Sequence, residues 1–230
     1  KFIQISFVCA GVTLLEECQL NPTATTNVNV DNTLDLIRKL LANGSTVIYL
    51  STVAVLDEER AVTDKEGKHQ SSCQYSRQKA EVEHTLLKWN EDKVVIFRIT
   101  KVLFPQMPLI SEWISCMKRG VVIHPFSDLV ISPVSLGYVV NSLIQIAVSK
   151  TYGMFQVSGD RDISYADVAV FIADKLGLDK KLVQPVTSTK MGVDGISIIS
   201  HSTLNASRVQ SKFNIEPANV LDTISEVFSL

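Results

Sequence analysis

The sequence Val47-Ile-Tyr-Leu-Ser-Thr52 decides how this chain folds, because a short apolar strand runs directly into two hydroxyl side chains. After a polar loop, Tyr75-Ser-Arg-Gln-Lys79 opens a helical pattern. Positions four apart on a helix lie on the same face, so Tyr75 and Lys79 should point into one site. The end of the strand can place the Thr52 hydroxyl beside them. We therefore predict that these three side chains act together.

This combination of side chains predicts proton transfer. A phenol has an unperturbed pKa of about 10, and a nearby ammonium favours the phenolate and lowers that pKa. A proton donor works best when its pKa lies near the working pH. Taken alone, Tyr75 and Lys79 also fit ordinary helix packing and a solvated charge. The hydroxyl pair that closes the strand, and the loop that links it to Tyr75, favour catalysis.

Strands alternate with helices over most of the chain, which predicts an α/β fold with a parallel sheet. We predict strands at residues 2–10, 47–50, 94–99 and 154–157. Helices are predicted at residues 32–41 and 74–89. Ligands of such sheets bind at the carboxyl ends of the strands. Thr13 and Thr52 both follow a predicted strand closely.

The remaining segments predict a smaller lobe. Helices are expected at residues 110–119, 136–148, 165–176 and 220–228, with Ser164 as an N-cap and a short strand at 182–186. The chain then crosses between two units more than once. We predict a sheet domain at residues 1–104 and 136–160, and a smaller lobe at residues 105–135 and 161–230. The cleft between them is a natural pocket.

Composition excludes several classes of protein. The 230 residues are 46% hydrophobic with a net charge of −2, which indicates a globular protein without a basic stripe for nucleic acid. No apolar run is long enough to span a bilayer. The four cysteines are scattered, which favours free thiols in a reducing cytoplasm. The histidines are also far apart, so we expect no metal site.

Two stretches resemble the extended short-chain dehydrogenase/reductases of the NAD-dependent epimerase/dehydratase group. Val47-Ile-Tyr-Leu-Ser-Thr-Val-Ala-Val-Leu-Asp57 is similar to a family strand that ends in Ser-Thr-Asp-x-Val-Phe-Asp. Tyr75-Ser-Arg-Gln-Lys79-Ala-Glu81-Val-Glu83 is similar to its Tyr-Gly-x-x-Lys-x-x-x-Glu. Within the group, the dTDP-4-dehydrorhamnose reductases are the most similar. The resemblance implies a Rossmann-like, doubly wound parallel sheet with a smaller α/β substrate-binding lobe.

The resemblance also implies an activity. Such an enzyme uses NADP or NAD to reduce a keto carbon of a nucleotide-linked sugar. Tyr75 would donate the proton, Thr52 in preference to Ser51 would bond the carbonyl oxygen, and Lys79 would bind the nicotinamide ribose. Asn29 resembles an asparagine that holds backbone geometry. Further cofactor-binding residues implied by the resemblance, besides Tyr75 and Lys79, are Ala10, Gly11, Thr13, Ser51 and Arg98.

Some residues depart from the family pattern and keep alternatives open. Val53 and Ala54 stand where dehydratases carry an Asp-Glu pair, which argues against a dehydratase or epimerase. Ser76 replaces the glycine after the tyrosine, and the substrate-side signature is eroded. A non-catalytic regulatory or scaffolding subunit with the same fold is therefore a second hypothesis.

The glycine-rich turn that normally holds a dinucleotide pyrophosphate has no match in this sequence. By resemblance, the strands that carry it would precede Lys1, and this stretch alone is expected to bind a dinucleotide poorly. An unpaired apolar strand at residues 2–8 would be an aggregation-prone edge. We therefore expect a longer chain, a homodimer or another partner to cover that edge.

Overall fold

A computed structural model describes residues 4–56, 73–89, 92–188 and 201–230. Its strands are β1 (Ile5–Val8), β2 (Thr46–Thr52), β3 (Val94–Ile99), β4 (Val102–Leu103), β5 (Val130–Ile131), β6 (Val134–Ser135), β7 (Gly153–Val157) and β8 (Ile163–Ser164). Its α-helices are α1 (Leu15–Leu20), α2 (Pro22–Thr26), α3 (Thr33–Ala42), α4 (Gln74–Trp89), α5 (Pro108–Lys118), α6 (Leu136–Ser149), α7 (Tyr165–Lys175), α8 (Ser207–Phe213) and α9 (Val220–Phe228).

The main sheet has four parallel strands in the order β1-β2-β3-β7. In the register, Val8 pairs with Tyr49, and Tyr49 pairs with Ile96. Because neighbouring strands run in the same direction, their carboxyl ends meet at one edge of the sheet. The predicted α/β fold with a parallel sheet is confirmed.

Helices cover both faces of this sheet, which explains why its central strands are almost continuously apolar. One face packs against α3 and α4, where Ile37 and Val82 are fully buried against β2 and β3. The other face packs against α6 and α8 through Ile146 and Val209. The sheet therefore holds α4 in a fixed position next to β2.

A further apolar cluster lies among α5, α7 and α9, with Trp113, Ile172 and Ile224 among its buried members. Two small sheets accompany it: β4 pairs with β6 in parallel, and β5 pairs with β8 antiparallel. This cluster corresponds to the predicted smaller lobe, although the boundaries between the two units stay a prediction. Within the described ranges, no helix combines the length and apolar character needed to cross a membrane.

Several predicted elements match the structure closely. The bounds of α4, β3 and α9 are those predicted, and the Ser164 hydroxyl caps α7 by accepting a bond from the Asp167 amide. The predicted strand at 182–186 is confirmed only in part: a 3₁₀ turn covers Lys180–Leu182, and the following residues pair in parallel with residues 123–126 through isolated bridges at Val183 and Val186. The predicted first strand includes residues 2 and 3, which lie outside the described residues.

The segment between β1 and α3 differs most from the prediction. We expected a turn and a helix from residue 32. Instead α1, α2 and a π-helical turn at Asn27–Asn32 lead directly into α3. Pro22 opens α2, where its missing N–H is not needed. Asn29 lies within the π-helical turn and is 3% exposed. Such turns are often found at functional sites.

Candidate active site

Helix α4 brings Lys79 to the carboxyl end of β2. The Lys79 Nζ donates a hydrogen bond to the Leu50 carbonyl at 3.0 Å and lies 4.6 Å from the ring centroid of Tyr49. The lysine is 7% exposed, whereas Tyr75, one turn earlier on the same helix, is half-buried. The helix thus places the phenol and the ammonium beside the strand that ends in Ser51 and Thr52.

Burial controls the electrostatics of this pair. It lowers the pKa of Lys79 to about 8, against the opposing effects of Glu83 and Cys9. Burial also raises the pKa of Tyr75 to about 12, with smaller contributions from Cys18 and Cys73. We predicted a lowered phenol pKa, so the direction is the reverse. The reason is that loss of hydration, which disfavours the phenolate, outweighs any attraction to the ammonium.

The two hydroxyls that end β2 have different environments. Thr52 Oγ1 accepts a bond from the Ala54 amide at 3.2 Å, which caps a 3₁₀ turn at Val53–Val55. Ser51 is 3% exposed, and its Oγ has no hydrogen-bond partner among the described residues. Alternate strand residues face opposite sides, so Ser51 shares a side with Tyr49, against which α4 packs. Its hydroxyl is therefore able to bond a ligand.

The loop after β1 forms the adjacent part of this edge. Ala10, Gly11 and Thr13 are exposed there, and parallel pairing of β1 with β2 brings them next to the Ser51–Thr52 end. A side chain at Gly11 would place its Cβ 3.0 Å from Asn29 Oδ1, a tight contact that favours glycine at this position.

Asn29 fixes the backbone of that loop. Its Oδ1 accepts a bond from the Val12 amide at 2.8 Å, and its Nδ2 donates to the Val12 carbonyl at 2.9 Å. The prediction that Asn29 holds backbone geometry is confirmed. These two hydrogen bonds restrict the backbone conformation of the loop at Val12.

Sequence reasoning missed Gln78, which is 1% exposed. It accepts a bond from Asn29 Nδ2 at 2.7 Å and donates to the hydroxyls of Thr25 at 2.9 Å and Thr26 at 3.1 Å. A signal did exist, because Gln78 occupies the same helix face as Val82 and therefore belongs to the buried side of α4. The network ties the loop after β1 to the helix that carries Tyr75.

Arg98 was predicted to bind the cofactor, and the structure gives it a different environment. The guanidinium is 4% exposed and forms a two-pronged ion pair with Glu83, with contacts of 3.0 and 2.6 Å. It also donates to Gln156 Oε1 at 3.2 Å. A buried guanidinium paired in this way holds α4 against β3. We therefore infer that Arg98 stabilises the packing of α4 on β3, and its contact with the cofactor stays a prediction.

The cysteines are free thiols, as predicted. Sequence reasoning did not place three of them at the site. Cys18 is fully buried and its Sγ donates to the Val12 carbonyl at 3.4 Å, while Cys73 lies just before α4. Burial raises the pKa of Cys9 and of Cys18, so both thiols stay protonated at neutral pH. In the part of the chain that the structure describes, no three His, Cys, Asp or Glu side chains are grouped to hold a metal ion.

The fold and the site together define an α/β protein with a Tyr-Lys helix at the carboxyl edge of a parallel sheet. The chain belongs to the RmlD substrate binding domain family, whose model matches residues 4–229. This confirms the resemblance stated from the sequence.

Individual relatives agree with this assignment. A dTDP-4-dehydrorhamnose reductase of Aggregatibacter actinomycetemcomitans is 25% identical over 228 residues, which cover 91% of this chain and 75% of the relative. A probable low-salt glycan biosynthesis reductase of Haloferax volcanii is 25% identical over 76% of this chain and 61% of its own length. The structure of dTDP-4-dehydrorhamnose reductase from Bacillus anthracis in complex with NADP has a TM-score of 0.85 and 16% identity, covering 98% of this chain and 79% of that one.

Proposed function

We propose that this protein is an NAD(P)-dependent oxidoreductase that reduces a keto carbon of a nucleotide-linked sugar. The observation that carries the proposal is the position of Lys79. Its ammonium is bonded to the Leu50 carbonyl at the end of β2, one helical turn from Tyr75. Membership of the family adds support. A catalytic reductase is favoured over the alternatives of a non-catalytic subunit or an epimerase, because both curated relatives are named as reductases.

Each side chain has a distinct role in this proposal. A bound reduced nicotinamide supplies the hydride. Tyr75 keeps its proton at neutral pH because its pKa is raised to about 12, and it donates that proton to the oxygen of the reduced carbonyl. Thr52, in preference to Ser51, donates a hydrogen bond to the same oxygen. Lys79 binds the ribose hydroxyls through the ammonium that faces the end of the strand.

The residues present fit a dinucleotide at this edge. Ser51 Oγ and Tyr49 Oη are buried polar atoms without a partner among the described residues. Both lie on the side of the sheet where Lys79 places its charge. Gly11 and Thr13 are exposed, so their backbone groups are accessible to the same ligand. NADP(H) fits as the cofactor. Its oxidised form is named in the structure of the Bacillus anthracis reductase, and its reduced form in that of the RMD protein from Pseudomonas aeruginosa.

We propose a cytoplasmic location and an oligomeric or partnered state. The four free thiols fit a reducing compartment. On the edge strand β1, Phe7 is 45% exposed, which fits coverage of that edge by another chain.

The test begins with calorimetry of NADPH binding, followed by NADPH consumption with dTDP-4-dehydrorhamnose, the substrate for which one relative is named. Because the glycine-rich turn has no match in this sequence, we expect weak but measurable NADPH binding, together with turnover that is lost in Tyr75→Phe. Binding without turnover on any dTDP-linked keto sugar would redirect the search to other nucleotide sugars. Absence of both binding and turnover would overturn the proposal.

A further inference from the structure

Lys79 places its ammonium over the face of the Tyr49 ring. The Nζ atom lies 4.6 Å from the ring centroid and also donates a hydrogen bond to the Leu50 carbonyl at 3.0 Å. A lysine ordinarily buries its apolar stem and keeps its ammonium in water, whereas this residue is only 7% exposed as a whole. The charged end is therefore enclosed, and the aromatic face is one of the groups that replace its water.

The carboxylate nearest to this ammonium along α4 is already engaged. Glu83 lies one turn after Lys79, but both of its oxygens accept hydrogen bonds from Arg98 on β3. Within the described ranges, Lys79 forms no ion pair within 4.0 Å. Its other titratable neighbours are Tyr75 on the same helix and the Cys9 thiol after β1. Burial raises the pKa of both groups, so neither supplies a negative charge at neutral pH.

An aromatic ring supplies attraction to a cation without carrying a charge. The face of the ring has a negative quadrupole, which attracts an ammonium more strongly where water is excluded. Burial raises the pKa of Tyr49, so its phenol stays neutral and acts on Lys79 through the ring face. An ammonium has three N–H donors. The contact with the ring and the bond to the Leu50 carbonyl thus leave Lys79 able to bond a ligand.

The sheet fixes the position of this ring. Tyr49 is 1% exposed and pairs in register with Val8 on β1 and Ile96 on β3. Its side chain belongs to the apolar cluster that includes Val82 of α4. Close packing in a core holds side chains in defined rotamers. The ring therefore gives the ammonium a fixed surface at the end of β2.

We propose that Tyr49 is a positioning residue for Lys79, because its ring face holds the ammonium in its charged form at the end of β2. The consequence for the reaction rests on the proposed function, in which Lys79 binds the nicotinamide ribose. Without the ring face, the enclosed ammonium loses an attraction and releases its proton at a lower pH. Tyr49 thereby extends the pH range over which Lys79 carries the charge that the site uses.

Nuclear magnetic resonance titration of isotope-labelled lysine in the full chain measures the Lys79 pKa and needs no enzymatic activity. Lys79→Arg assigns the signal. Tyr49→Leu removes the ring face and should lower the Lys79 pKa from about 8 to about 7. Tyr49→Phe keeps the ring face and should leave that pKa close to the wild-type value. Pentafluorophenylalanine at position 49 keeps nearly the shape of phenylalanine but reverses the polarity of the ring face, so it should lower the pKa at least as much as Tyr49→Leu.

Steady-state kinetics connect this pKa to the proposed reaction. The alkaline limb of kcat/KM should move with the Lys79 pKa, so the ratio of kcat/KM at about pH 6 to that at about pH 8 should rise about fivefold in Tyr49→Leu. Leu86→Ala is the matched control, because it opens a cavity in the same apolar cluster without removing a ring. That variant should be less stable and keep the wild-type Lys79 pKa.

An unchanged Lys79 pKa in Tyr49→Leu, or an equal fall in Leu86→Ala, would overturn the proposal. If Tyr49→Leu fails to fold, equal Lys79 pKa values in Tyr49→Phe and in the pentafluorophenylalanine variant would overturn it instead, because they would show that the ring only fills space. A lowered Lys79 pKa in a protein without turnover would support the role of Tyr49 and count against the proposed function. The two failures are thus distinguishable.

Discussion

The side chains of Asn29 and Gln78 form a 2.7 Å hydrogen bond between two nearly buried amides, 49 residues apart in sequence. Asn29 also holds both backbone groups of Val12, and Gln78 also holds Thr25 and Thr26. The bond joins the exposed loop after β1 to the helix of Tyr75 and Lys79. The loop proposed to contact the cofactor and the helix of the proposed proton donor are thereby held in one frame.

Replacing Gln78 by Met should loosen this frame. The substitution keeps side-chain length but removes one of the two acceptors of Asn29 Nδ2 and the amide donor to Thr25 and Thr26, and each buried group left unsatisfied costs about 1–3 kcal/mol. We expect a lower urea midpoint and weaker NADPH binding by calorimetry. Gln19→Met, at an exposed position of α1, is the matched control and should change neither. Wild-type NADPH affinity in Gln78→Met would show that the network does not position the loop.

Replacing Tyr75 by Phe should remove the proton donor and leave the fold intact. Turnover should fall by about 10²–10⁴-fold, the usual contribution of a general acid. The control is Tyr138→Phe, which loses a 2.8 Å bond to the Glu216 carbonyl and lies on α6, on the opposite face of the sheet from α4. That variant should lose some stability and keep its turnover. Full activity of Tyr75→Phe would remove Tyr75 from the mechanism.

Activity should fall as pH rises through about 8. Burial lowers the pKa of Lys79 to that value, so the ammonium is present below it and lost above it. The Tyr75 pKa, raised to about 12, adds no break in the neutral range. A profile of kcat/KM against pH should show one alkaline limb. Lys79→Arg should be slower and lack this limb, because a guanidinium stays charged. A limb that persists in Lys79→Arg would belong to another group and would remove Lys79 as its cause.

Substituting Ser51 and Thr52 one at a time should distinguish the roles of their two hydroxyls. Ser51→Ala removes an Oγ with no intramolecular partner among the described residues, so stability should hold while cofactor binding weakens. Thr52→Val loses the cap on the Ala54 amide and should cost about 1 kcal/mol. It should also lower kcat by about 10²-fold if Thr52 stabilises the reacting oxygen. The reverse pattern in steady-state kinetics would give that role to Ser51.

The Glu83–Arg98 pair should be a strong determinant of stability. Arg98→Met leaves a 1% exposed carboxylate without its cation, and breaking a buried pair in this way costs about 3–5 kcal/mol. Urea unfolding measures the loss. Lys39→Met breaks the exposed pair with Asp35 and should cost about 1 kcal/mol or less. Equal losses in the two variants would contradict the assignment of Arg98 to a structural role.

The sequence predicted the elements whose apolar periodicity is strong. Helix α4 and strand β3 have the bounds expected from Val82, Leu86 and the run from Val94 to Ile99. The segment of α1, α2 and the π-helical turn was not predicted, because Leu15–Thr26 has little apolar periodicity. Its shape depends on tertiary bonds such as those of Thr25 and Asn29, which no local pattern displays.

In the candidate site, too, local patterns predicted some features, whereas others depend on tertiary contacts. The positions of Tyr75 and Lys79 follow from helical spacing, a local rule. The environment of Arg98 depends on Glu83, which lies on a different element, and resemblance alone suggested a ligand contact. The pKa direction of Tyr75 depends on burial beside Cys18 and Cys73, which only the folded chain reveals.

The strand order β1-β2-β3-β7 also has a consequence for the time course of folding. A segment of α1, α2, a π-helical turn and α3 joins β1 to β2, and α4 precedes β3, so β1, β2 and α4 can associate through contacts of moderate sequence separation. Strand β7 must return to β3 across the whole of α5 and α6, and long closures of this kind slow folding. We therefore expect the frame around Lys79 to form early and the last strand of the sheet to dock late. Until it docks, Phe97 and its neighbours on β3 present an open edge that a chaperone could protect.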